Sequence, residues 1–74
     1  MLRLFAVYDH PRDFPDAFVV REYAIGDGAA VAGRLIVQAP TLDDARDLLH
    51  RHCPGLVRIP RHPDDDPVIV ETWL

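Results

Sequence analysis

Only one segment of this chain carries the signature of a helix, and it is short. In APTLDDARDLLHRHCPG, residues 39–55, Leu42, Ala45, Leu48, Leu49 and Cys53 recur at steps of three and four. That spacing draws a single apolar stripe. Thr41 stands where an N-cap hydroxyl is needed, and Asp44 follows three residues later, approximating a capping box. Asp43, Asp44 and Asp47 lie toward the positive end of the helix dipole, and His50, Arg51 and His52 lie at the negative end. Pro54 and Gly55 stop the helix. One helix with one stripe covers one face of one sheet.

The remaining segments read as strands. LRLFAVYD, residues 2–9, alternates two sets that are both largely apolar, as in an interior strand covered on both faces. AFVVREYAI, residues 17–25, is rich in β-branched and aromatic residues. GDGAAVAG, residues 26–33, reads as a flexible loop, and RLIVQA, residues 34–39, as a third strand that would start as early as Val31. LVRIPR, residues 56–61, is a short strand that Pro60 confines to an edge or a strand end. VIVETWL, residues 68–74, is the last. The expected fold is therefore a single α+β domain over residues 1–74, in the order β-β-β-α-β-β. A mostly antiparallel sheet would carry one helix packed on one face.

Composition sharpens the consequence. A chain of 74 residues buries only about 60% of its unfolded surface, yet 49% of this one is apolar. Phe5, Val7, Phe18, Val20 and Trp73 are expected to share a sheet face without cover from the helix. A second subunit would supply that cover, so the expected partner is a second copy or another protein.

The formal charge of −4 argues against binding nucleic acid through its phosphates, which calls for a basic face. MLRLFAVYDHP is too quickly interrupted for a signal peptide, and no apolar run approaches the roughly 18 residues of a membrane span. The expected location is the cytoplasm. A lone cysteine, Cys53, excludes an internal disulfide and any multi-cysteine metal framework.

One motif occurs twice. HPRDFP, residues 10–15, and HPDDDP, residues 62–67, both read His-Pro-x-Asp-x-Pro. Were the last strand to pair antiparallel with the first, both loops would emerge at one end of the sheet. His10, Asp13, His62 and Asp65 would then be candidate ligands for a divalent ion, the one cofactor these residues suggest. The plainer reading is favoured. Asp hydrogen-bonds the backbone two residues on, Pro presets the bend, and three successive aspartates, Asp64 to Asp66, are best tolerated in water.

HRHCP, residues 50–54, sets a thiol beside two imidazoles. Cys53 sits at a helix C-terminus, where the dipole disfavours thiolate, so it reads as a small buried hydrophobe. Glu71, inside the last strand, reads as a solvated residue or a partner for Arg58 across the hairpin, with a functional carboxylate as the minor alternative. Tyr8, Tyr23 and Trp73 read as core or interface aromatics.

As a whole, YDHPRDFPDAFVVREY, TLDDAR and GLVRIPRHPDDDPVIVETWL resemble a family of small bacterial and phage-associated proteins of unknown function. The stretches that carry the resemblance are Tyr8 to Pro11, Phe18 to Arg21 and Asp66 to Trp73. It implies a stand-alone module and assigns no catalytic residues.

The reading that emerges is a protein-interaction module, self-associating and without catalytic activity. The alternative is a metal-binding or metal-dependent hydrolytic site on His10, Asp13, His62 and Asp65. The third, a nucleic-acid accessory protein, needs Arg3, Arg12, Arg21 and Arg34 on one face.

Overall fold

The computed structural model describes residues 2–26, 29–30 and 33–74. It is a small α+β domain with an antiparallel sheet and one helix. Its strands are β1 (Leu2–Asp9), β2 (Phe18–Gly26), β3 (Ala29–Ala30), β4 (Arg34–Ala39), β5 (Arg58–Pro60) and β6 (Ile69–Trp73), with α1 (Leu42–His52) between β4 and β5. β2, β1, β6 and β5 lie side by side in that order, and β3 and β4 both pair with the outer side of β2. β3 occupies the far end, opposite Ile25 and Gly26, while β4 runs opposite Phe18 to Glu22. The sheet is thus five strands wide, with one interrupted edge.

That interruption corrects the expectation of an unbroken loop before the third strand, because Ala29 and Ala30 pair with β2. The expected strand start at Val31 lies outside the described residues. Gly33 marks where the edge resumes. A Cβ there would sit 2.6–2.9 Å from two ring carbons and the hydroxyl oxygen of Tyr23, a closeness that only glycine permits.

Helix α1 forms for the local reasons its sequence states. The Thr41 side chain accepts from the Asp44 amide at 3.1 Å, and Ala45 and Leu49 are fully buried beneath the helix. Cys53 caps the C-terminus and packs against the core, and Gly55 turns away with φ of 86°.

The strand register decides which face the helix covers. Arg34, Glu22, Phe5, Trp73 and Arg58 form one row across the sheet. Val37, Val20, Val7 and Glu71 form another. Phe5, Val7 and Val20 are fully buried in one cluster with Val37, Ala39, Ala45 and Leu49; Phe18 and Trp73 pack against it. Phe5, Val7, Phe18, Val20 and Trp73 therefore share a face, but it is the face under the helix. The expectation that they lie without cover within the chain is corrected. Each fully buried aliphatic or aromatic side chain there contributes about 1.5–3 kcal/mol. The opposite face, bearing Leu2, Leu4, Ala6, Tyr8, Tyr23 and Ile25, has no helix.

Candidate functional site

β1 and β6 do pair antiparallel, and the Asp9 amide donates to the Val68 carbonyl at 2.8 Å. Both His-Pro loops accordingly emerge at one end of the sheet. Their side chains are nevertheless engaged locally. His10 bonds through Nδ1 to Asp9, and its ring meets Phe18 edge-on at 5.0 Å. Asp13 pairs with Arg21. The Asp65 carboxylate accepts from the His62 amide at 3.0 Å, and His62 Nδ1 accepts from the Asp64 amide at 3.1 Å. These are the self-bonding turns that Asp and Pro favour. Among the described residues no three His, Cys, Asp or Glu side chains are placed to hold a metal ion.

A depression of about 490 Å³ opens between the loops, lined by His10, Pro11, Arg12, Asp66 and Val68. His10 beside Asp9 has the form of an oriented imidazole, but these lining residues supply no nucleophile for it to activate. His10 also holds φ of 49°, a left-handed conformation uncommon for a side-chain-bearing residue.

Sequence reasoning found half of a second constellation. Arg58 Nε does reach Glu71 Oε1, at 3.2 Å, across the β5–β6 hairpin. Arg46, reaching down from α1, adds bonds of 3.0 and 2.6 Å, and the Trp73 indole adds one of 2.6 Å. The His50 ring stands edge-on to Trp73 at 4.7 Å. Glu71 is 0% exposed. Burial pushes its carboxyl pKa up, but the bonds from Arg46, Trp73 and Arg58 outweigh that and hold it below the usual carboxylate range. With four donors on two oxygens and no exposure, this carboxylate has no access to a substrate proton. It fastens the helix to the sheet.

The helix-free face is the third candidate. Leu4, Ala6, Tyr8, Tyr23, Ile25 and Ile69, with Thr72 and Asp65, line a shallow depression of about 340 Å³. The Tyr8 and Tyr23 hydroxyls bond to each other at 2.5 Å. Burial, then the bond to Tyr23, raises the Tyr8 hydroxyl pKa far above its ordinary value. The Arg21–Asp13 pair draws the first His-Pro loop toward the upper part of this face, where Val19 is fully buried. The lower part stays open, with Leu2 and Ile59 exposed. The strand alternation held a signal for this face, because Leu2, Leu4, Ala6 and Tyr8 fall on one side of β1.

Among the described residues no helix is long and apolar enough to cross a membrane. No family model, curated protein or solved structure matches the chain.

Proposed function

We propose that this chain is a protein-interaction module without catalytic activity, and that its contact surface is the helix-free face of the sheet. The observation that carries this reading is a face with no helix, on which exposed Leu2 and Ile59 stand near half-buried Leu4, Tyr23 and Ile25. Contiguous exposed apolar surface of this kind is characteristic of a binding site. Tyrosines suit such a surface, since each offers a rigid apolar ring and one polar atom at small entropic cost. A protein partner fits better than an anionic lipid surface or a nucleic acid, given the net charge of −4. The resemblance to small bacterial and phage-associated proteins of unknown function belongs to this proposal and assigns no catalytic residue.

The test is site-specific photocrosslinking. A photoreactive residue at Ile25, on the open face, should give a discrete protein adduct in lysate of the producing cells. The same probe at Asp43, whose side chain is 94% exposed on the helix, should give none. Equal labelling from both positions would overturn the reading.

A further inference from the structure

The two edges of the sheet are protected very differently. β5 is three residues long, contains Pro60 and is flanked by Arg61, devices that keep an edge strand from recruiting a neighbour. β4 is twice as long, although Arg34 opens it, Pro40 follows it and a register shift leaves Ile36 bulged against β2. It reads RLIVQA over six residues, has no internal proline, and has no described strand on its outer side. An edge of this kind presents a row of backbone donors and acceptors ready for another strand.

Helix α1 lies over the β2–β4 half of the sheet. Asp44, Asp47, Leu48 and Arg51, at steps of three and four, line a trough together with Gln38–Pro40 at the end of β4. Leu48 is 41% exposed. Among the described residues Asp44, Asp47 and Arg51 enter no ion pair. Charge along the strand runs the same way, with Arg34, itself 3.7 Å from Glu22 on β2, at one end and Asp16 beside Gln38–Pro40 at the other. Helix and strand therefore share one pattern: acid toward one end, Leu48 or Ile36 and Val37 in the middle, arginine at the other, with Asp47 beside Leu48 on the helix. A two-fold axis makes such a pattern complementary to itself.

We propose that β4 pairs antiparallel with β4 of a second copy, joining the two sheets into one with the two helices side by side. The geometry allows one axis to serve both layers. The strand midpoint, between Ile36 and Val37, lies ~8 Å from Ala39 at ~3.3 Å per residue. The midpoint of the helix pattern, between Asp47 and Leu48, lies ~8 Å from Leu42 at ~1.5 Å per residue. Only Pro40 and Thr41 separate β4 from α1, so both distances start from the same end of the sheet. With strands ~4.8 Å apart, helices seated over the β2–β4 seams stand ~9.6 Å apart, a normal packing distance. Asp44 then faces Arg51 of the second copy, Leu48 meets its Leu48, and Arg34 falls beside its Asp16. This contact goes beyond the helix-free face, which remains open on both copies and becomes one wide surface.

The test is a charge swap. Asp44→Arg and Arg51→Glu both alter exposed positions on the helix, and circular dichroism verifies that each variant keeps its helix. Either variant alone should weaken self-association at least about tenfold, because both symmetric contacts become like-charged. An equimolar mixture should restore wild-type affinity, because every introduced charge then meets its opposite. Amides of β4 in the wild-type chain should gain deuterium-exchange protection as concentration rises. A mixture that binds no tighter than its components would overturn the proposal, as would a wild-type dimer broken by Ile25→Lys and indifferent to the charge variants. A monomeric wild-type chain would overturn it too, leaving the helix-free face to be judged by its own crosslinks.

Discussion

Arg46 on the helix holds Glu71 on β6 with two nitrogens, Nε to Oε2 at 3.0 Å and Nη2 to Oε1 at 2.6 Å. The contact spans 25 residues of sequence and ties the helix to β6, the strand beside the β5 edge. Arg46→Ala would strip a fully buried carboxylate of two of its four bonds and should destabilise the domain by about 3 kcal/mol. Arg58→Ala removes a half-exposed partner and should cost about 1 kcal/mol or less. Urea denaturation of the two variants checks the order.

The same site fixes a pH dependence. Glu71 has a folded-state pKa below its unfolded value, so its contribution is fully present above the unfolded pKa, near pH 4.5. That contribution is lost as pH falls through the folded value. Urea midpoints should therefore drop below about pH 5 in the wild-type chain. In Glu71→Gln, which is already less stable at neutral pH, this part of the drop should be absent.

Gly33 and Tyr23 make a second testable contact. A Cβ at position 33 would lie 2.6 Å from Cζ of Tyr23, so Gly33→Ala should drive the ring aside and break its hydroxyl bond to Tyr8. The expected loss is about 1–3 kcal/mol. The readout is a tyrosine titration: the Tyr8 hydroxyl, now raised by burial and by Tyr23, should ionise at lower pH in the variant.

His10 sits with positive φ, where a β-branched residue is strained and glycine is not. His10→Val should therefore destabilise by about 1–2 kcal/mol, while His10→Gly stays within about 0.5 kcal/mol of wild type. Thermal melts compare the two. A loss in His10→Gly equal to that in His10→Val would shift the weight from the backbone to the imidazole.

The helix was legible because its signals are local: the Thr41 cap, the acidic first turn and the stripe through Ala45 and Leu49 act within a few residues of each other. Five of the strands were legible for the same reason; Ala29–Ala30, read as loop, was not, because two alanines carry no strand pattern of their own. Which face the helix covers was not. Both sides of β1 are apolar, so alternation alone could not say whether Phe5 and Val7 or Leu4 and Tyr8 lie beneath it; the long-range register decides. Arg58 and Glu71 occupy the two strands of one hairpin, and that proximity was readable. Arg46 comes from a helix 25 residues earlier, and nothing local announces its aim. The His-Pro loops show the same limit from the other side. Topology brings them to one end of the sheet, but their side chains follow local turn preferences.

Pairing of β4 with a second copy has one plain consequence in solution. In sedimentation equilibrium of the wild-type chain, from low to high micromolar concentration, the mass should climb toward twice the 8.4 kDa of one chain. A mass fixed at one chain across the whole range would rule the pairing out.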